Sequence, residues 1–308
     1  MRQALDGGVK SFGHEGNLGL AEEIMERRDD PAVIEPRRGS RESMLPPDCL
    51  MVFTPQDREL VQQSLDAPLH RTHKVFLVEV GRGRWRGLDL ALAGPMMGAP
   101  QAVLTLDKLT VLGVRRILAL GWCGSLQPHV RIGDVVLPTG ALSEEGTSAH
   151  YPLDDGVDPG PSVTLLDGLA RALEGTGADL AADETQGTPG SECTQGTLGP
   201  HGTRPGGGDG LKVHRGRVWS IDAPYRETVR KVLRYQGEGI LGVDMETSAL
   251  FTAARYRGIA LASILVVSDD LSTLQWVHGF KAPEFLRARK RAVRAVLETF
   301  QAVRDHEK

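Results

Sequence analysis

From residue 48 to residue 303, short apolar runs of strand length alternate with stretches whose apolar residues recur at helical spacing, and few architectures accept that alternation. The first run, Asp48-Cys-Leu-Met-Val-Phe53, reads as a strand. Thr54 then serves as N-cap and Pro55 as the first residue of a helix through 65. Residues 74–80 alternate as a strand, Gly81-Arg-Gly-Arg-Trp-Arg-Gly87 reads as a turn, and 88–93 returns to complete a hairpin. Val103, Leu106, Leu109 and Leu112 mark a helix over 101–112 that Gly113 stops. Further strands are expected over 116–120, 134–137, 217–221, 241–244 and 261–267, and further helices over 162–173, 223–235, 246–256 and 282–303. This order predicts an α/β fold, a three-layer α/β/α sandwich around a mixed sheet.

Two segments stand outside the pattern. Residues 1–46 are rich in Gly, Arg and Glu without a sustained apolar period, and read as a flexible N-terminal arm before a single domain over 47–308. Within that domain, residues 174–210 are almost all Gly, Thr, Pro, Ala and acidic residues, and read as a low-complexity surface insertion. The formal net charge of -4 argues against a nucleic-acid partner, which favours a basic face. Cys49, Cys123 and Cys193 are far apart, odd in number and without a CxxC pair, which argues against a disulfide framework or a zinc site. Reduced thiols fit a cytoplasmic protein. The first residues carry no apolar run of signal-peptide type, and the longest apolar run, about 259–267, is interrupted by Ser263 and too short to span a bilayer. No membrane partner is expected.

In α/β folds ligands collect beyond the carboxyl ends of strands. Four segments end strands here: 94–100, 121–125, 243–247 and 268–271. In Val243-Asp-Met-Glu246 the glutamate has two readings: a helix-start residue favoured by the helix dipole, or a carboxylate whose two oxygens accept from the adjacent hydroxyls of a sugar. In Leu265-Val-Val-Ser-Asp-Asp270 an apolar strand delivers two carboxylates at its end, either as a catalytic placement or as a cap for the next helix. Gly121-Trp-Cys-Gly-Ser125 lets the backbone approach a ligand; Cys123 lacks a patterned histidine to activate it and reads as a small buried thiol. Gly94-Pro-Met-Met-Gly-Ala-Pro100 is a glycine loop without the Walker lysine or a dinucleotide fingerprint.

Taken in order, Gly94-Pro-Met-Met-Gly-Ala-Pro100, Gly121-Trp-Cys-Gly-Ser-Leu126 followed by Ile132-Gly-Asp-Val-Val136, Val243-Asp-Met-Glu246 and Val267-Ser-Asp269 resemble the nucleoside phosphorylase/nucleosidase superfamily, from about Met51 to Phe280. The resemblance implies a partly barrel-like sheet and cleavage of the N-glycosidic bond of a purine nucleoside by phosphate, giving free base and ribose 1-phosphate. It implies inorganic phosphate as co-substrate, no metal, no organic cofactor, and a homo-oligomer between dimer and hexamer. It assigns Glu246 to the ribose hydroxyls, Met245 to the sugar face, Asp269 to the acid at the base, and Pro224 and Tyr225 to the base. Met97, Gly98, Gly121, Cys123 and Gly124 then line the substrate, with Arg58 near the phosphate although its spacing is off by one residue.

Two positions depart from the family pattern. Ala119 stands where phosphorylases carry an arginine, and Trp122 where they carry a serine or threonine for phosphate. Nucleosidases on the same scaffold also lack that arginine, so a water-using hydrolase is the second reading. A uridine phosphorylase is disfavoured by Val267-Ser-Asp269 and by the lack of a Gln-x-Arg after Tyr225. A non-catalytic nucleoside binder has no need of Asp269.

Overall fold

In a computed structural model of the chain, the structure describes residues 31–153, 159–175, 179–180 and 211–306. Eleven strands form one mixed sheet: β1 (Asp48–Val52), β2 (His70–Val75), β3 (Val78–Trp85), β4 (Leu88–Ala93), β5 (Arg116–Ser125), β6 (Val135–Glu144), β7 (Asp179–Leu180), β8 (Lys212–Ile221), β9 (Gly242–Asp244), β10 (Ala260–Asp270) and β11 (Val277–His278). Six helices accompany them: α1 (Pro55–Ser64), α2 (Ala99–Val111), α3 (Val163–Gly175), α4 (Val229–Gly237), α5 (Thr247–Arg257) and α6 (Pro283–His306). Strands β5, β10, β6, β8 and β9 pair in a ring, because β5 contacts both β10 and β9. Beyond β5 an open wing continues through β1, β4, β3 and β2. The sheet is therefore part barrel and part wing, as expected.

Strand alternation sorts the core into two layers. Cys49, Met51, Ile117, Ala119, Cys123, Leu265 and Val267 face the cluster built with α2 and α5. Leu50, Val52, Leu118, Leu120, Ala262, Ile264 and Val266 face the cluster built with α1, α3 and α6. Both faces of β1, β5 and β10 are covered, which is why these strands read as continuous apolar runs. Thr54 caps α1 as expected: its Oγ1 accepts from the Asp57 amide at 3.1 Å. A smaller cluster joins Leu126, Trp219, Ile221, Val232 and Tyr235 under α4. No described helix is long and apolar enough to cross a membrane.

Several boundaries differ from the sequence expectation. Residues 81–85 belong to β3, and the turn is only Arg86 and Gly87, both at positive φ (48° and 79°). Glycine at 81 and 83 suggested a turn, but a Cβ at Gly81 would stand 2.4 Å from Leu69 Cδ2, so close packing explains the residue. Residues 121–125 and 268–270 are not loops; they are the ends of β5 and β10, held in the barrel wall by mutual pairing. The helix expected over 223–235 is broken into a 3-10 turn, Pro224–Arg226, and α4. The expected insertion overlaps regular structure at its start, since α3 runs to Gly175 and β7 pairs with β8; residues 181–210 lie outside the described residues. Of the expected arm, residues 1–30 also lie outside them. Residues 31–46 meet the body through Glu35–Arg257 (3.4 Å), Glu42–Lys108 (2.6 Å) and the buried Leu45.

Candidate active site

The ends of β5, β9 and β10 lie side by side. In register, Gly124 of β5 stands opposite Val243 of β9 on one side and Asp269 of β10 on the other. A Cβ on Gly124 would be 3.1 Å from Asp269 Oδ2, 3.3 Å from Val243 Cγ1 and 2.6 Å from Leu271 Cδ1. Glycine at 124 is what lets the Asp269 carboxylate lie across the strand. A register shift between Val267 and Asp269 delivers both the Ser268 and Asp269 side chains to this end. Ser268 Oγ donates to Asp269 Oδ1 at 2.6 Å, and Trp276 Nε1 donates to Oδ2 at 2.9 Å.

Glu246 begins α5, yet it does not cap the helix: no side-chain cap bond comes from it. That task falls to Asp244, whose Oδ2 accepts from the Thr247 amide (2.9 Å) and hydroxyl (2.5 Å) while Oδ1 accepts from Ser220 Oγ (2.5 Å). The Glu246 carboxylate turns instead to the loop before α2 and accepts from the Gly98 amide at 2.6 Å. Gly98 sits at φ +80°, a left-handed conformation that favours glycine and aims its N–H across the site. Glu246 thus stands at the N-cap position without a side-chain capping bond. Asp269 lies within β10 rather than before a helix, and the Ser272 amide bonds to Asp270 (2.7 Å).

Burial sets the electrostatics. Desolvation, reinforced by the charge of Asp244, pushes the Glu246 carboxyl up to about 8. Burial raises the Asp244 carboxyl as well, opposed by the hydroxyl and amide donors that hold both of its oxygens. Burial also raises the Asp269 carboxyl above the usual range, with Asp270 adding to it and the Ser268 and Trp276 donors opposing it. Glu227, just after the 3-10 turn, is pushed to about 7 by burial and by the Asp269 charge. Cys123 is buried, and desolvation with the Asp244 and Asp269 charges holds its thiol far up; it is no nucleophile.

The remaining expected residues fall into two groups. Met97 and Gly98 lie on the loop that reaches Glu246; Met97 is exposed and Met245 half-buried. Pro224 and Tyr225 form the exposed turn that leads to Glu227. Arg58 is elsewhere engaged. Its Nη1 donates to the carbonyls of Gly94 (2.9 Å) and Glu79 (3.4 Å), and its Nη2 pairs with the Glu79 carboxylate (3.5 Å). It braces the back of the 94–98 loop. Ala119 is buried in the α2–α5 layer, and Trp122 packs edge-on to Phe285 (5.0 Å) beneath the Arg289 guanidinium (5.2 Å), on the α6 side of the sheet.

Sequence reasoning missed Glu227 and Trp276. Neither sits in a motif, and each reaches Asp269 only through tertiary structure. The nearest sequence signal is the fold-back of β11 on β10, which pairs His278 with Asp269, and a two-residue strand leaves no readable pattern.

Known proteins share this fold. Residues 47–302 match the family model described as the phosphorylase superfamily. A guanosine phosphorylase of Halorubrum lacusprofundi is 29% identical over 215 residues, covering 70% of each chain. A DeoD-type purine nucleoside phosphorylase of Bacillus cereus is 28% identical over 193 residues, 62% of this chain and 68% of that one. Among solved structures, a uridine phosphorylase from Vibrio fischeri superposes with a TM-score of 0.66 at 22% identity, over 85% of this chain and 99% of the other. A purine nucleoside phosphorylase from Toxoplasma gondii, in complex with immucillin-H, gives 0.68 at 18%, over 90% and 99%. The matched span begins just before β1, ends within α6 and takes in every segment that meets at Glu246 and Asp269; the chain belongs to the phosphorylase superfamily.

Proposed function

We propose that the protein cleaves the N-glycosidic bond of a purine nucleoside with inorganic phosphate, releasing the base and ribose 1-phosphate. The observation that supports this reading is that β5 brings the two segments together: Gly124 stands opposite Asp269 on one side and Val243, three residues before Glu246, on the other. As the bond breaks, positive charge grows on the ribose and negative charge on the base. Glu246 accepts from the ribose hydroxyls and places negative potential beside the developing cation. Asp269, raised above the usual carboxylate range by burial, gives a proton to the base nitrogen N7 as the base leaves. Phosphate attacks C1′ from the opposite face, so one C–N bond breaks and one C–O bond forms. Glu227 supplies a second carboxyl near the base, titrating close to neutrality. A cytoplasmic homo-oligomer is part of the same reading.

A second reading has a specific observation behind it. The three positions expected to hold phosphate are unsuited or engaged: Ala119 is apolar, Trp122 packs under α6, and Arg58 is bonded to Gly94 and Glu79. That favours water as nucleophile on the same scaffold. Inosine, guanosine, adenosine and uridine incubated with and without phosphate decide between them. Base release only with phosphate supports the phosphorylase, and release without it the hydrolase. Preference for uridine overturns the purine assignment, and no release from any of the four overturns both enzyme readings.

A further inference from the structure

Both oxygens of Asp269 are already taken. Ser268 Oγ holds Oδ1 from inside the barrel wall, and the indole of Trp276 holds Oδ2 from the solvent side. The indole gets there because β10 turns back through Leu274, at φ +63°, and β11 pairs His278 with Asp269. Trp276 itself is 63% exposed, among the rings of His278 (5.7 Å) and Phe280 (6.4 Å). A side chain so open to solvent is not held there by core packing; its directional contact is the bond to the carboxylate.

We propose that Trp276 is a gate which occupies the place of the base on Asp269 in the empty site and leaves when the base arrives. This rests on Asp269 acting at the base as proposed above. An indole N–H is a donor only, and with Ser268 donating to Oδ1 it makes both oxygens of Asp269 acceptors, the pattern of an ionised carboxylate. Nitrogen N7 of a purine nucleoside is an acceptor only, so it bonds a protonated one. The two occupants demand opposite protonation states of Asp269. Exchange of the indole for the base therefore takes up one proton from solvent, and that proton is the one later given to the leaving base. Trp276 acts through Asp269 and is a positioning residue. The other titratable groups facing Asp269 are Asp270 on its own strand, His278 on β11, Glu227 beyond the 3-10 turn and Cys123 on β5. Each stays in place when the indole leaves.

The experiment compares wild type with Trp276→Phe, which keeps the ring and loses the N–H. The indole bond to the carboxylate is solvent-exposed and so weaker than a buried charge-assisted bond, and KM for inosine should fall about three- to ten-fold on its loss. Without the indole donor the protonated carboxyl persists to higher pH, so the basic limb of kcat/KM should move up by about half a unit to one unit. The shift should persist in a Glu227→Gln background. Calorimetry in buffers of different ionisation enthalpy should show more proton uptake for inosine than for 7-deazainosine, which lacks the acceptor. A raised KM with an unmoved limb would overturn the gate and make the ring a platform for the base. A substrate-free readout keeps this test separate from the proposed reaction: Trp276 fluorescence, isolated as the wild type minus Trp276→Phe difference, should titrate with pH and cease to do so in Asp269→Asn. A flat difference in wild type overturns the gate whatever the protein cleaves. A titrating difference in a protein that cleaves no nucleoside keeps the Trp276–Asp269 link and overturns the reaction.

Discussion

The two ends of the site are built differently. At the proposed sugar end, Glu246 is buried, accepts from Gly98, and faces a loop braced from behind by Arg58 and by the Gly94 amide bonded to the Glu79 carbonyl (3.0 Å). At the proposed base end, Asp269 is bonded by an exposed indole and its charge is felt by the half-buried Glu227. A ribose is the same in every nucleoside, so its receptor can be preformed. Bases differ and must enter and leave, so the base end is made of side chains that can move. Pre-organisation at one end and adjustability at the other divide binding from chemistry.

The strongest way to break this comparison is to remove the proton at the base end. Asp269→Asn keeps the size of the side chain and loses the acid. Turnover of purine nucleosides, followed as base release, should fall about 10²- to 10⁴-fold. KM should change far less, because the sugar end still binds. A variant with wild-type turnover would show that the chemistry does not pass through Asp269.

Next in size is the sugar end. Glu246→Gln still accepts from Gly98 but offers the ribose no charge. Two charge-assisted bonds weakened together should cost about 10²-fold in kcat/KM. A 2′,3′-dideoxynucleoside provides the control, since it has no hydroxyls to lose and should be a poor substrate for wild type and variant alike. If the variant discriminates against it as strongly as wild type does, Glu246 is not the sugar receptor.

The same contrast explains what is legible in the sequence. Val243-Asp-Met-Glu246 and the 94–100 loop are contiguous, and their chemistry can be read along the chain even though they meet only in space. The alternation of buried strands is equally readable, because β1, β5 and β10 bury both faces. Strand ends are not. Gly121 to Ser125 looks like a loop because glycines break a pattern, and only the pairing of β5 with β10 and β9 shows why they are tolerated in a strand. The partners of Asp269 are illegible for another reason. Trp276 lies seven residues on and reaches back by a two-residue pairing, and Glu227 arrives from another element altogether. Arg58 misleads because a spacing argument sees a cation but not the carbonyls that already hold it.

A smaller effect tests whether the base end tolerates intrusion. Gly124→Ala puts a methyl 3.1 Å from Asp269 Oδ2 and 2.6 Å from Leu271 Cδ1. Overpacking of this kind costs about 1–3 kcal/mol, and part of it should appear as a displaced carboxyl, lowering kcat about ten-fold. If the base end is as adjustable as its exposure suggests, Leu271 gives way, and the loss in kcat exceeds any loss in thermal stability.

The smallest expected effect is on stability, and its sign separates the two ends most cleanly. In the folded chain the Glu246 carboxyl titrates at about 8 against 4.5 for an unperturbed glutamate, pushed up by burial and then by Asp244. Below about 4.5 both states hold the proton, and the group has no effect on the pH dependence. As pH rises toward 8 the unfolded chain releases the proton while the folded chain keeps it, so stability falls across this window and levels off above it. Glu246→Gln cannot titrate. Its melting temperature should match wild type near pH 4.5, exceed it by a margin on the order of a few degrees at pH 8, and gain no more beyond. The variant that loses about 10²-fold in kcat/KM is thus expected to be the more stable protein at neutral pH, because the buried carboxylate serves the ribose at the expense of the fold. Nucleoside binding should narrow the gap, since ribose hydroxyls donate to the ionised form and release the proton that burial held. A melting difference that does not change with pH would mean that the sugar end is solvated, and that the contrast with the base end is one of position alone.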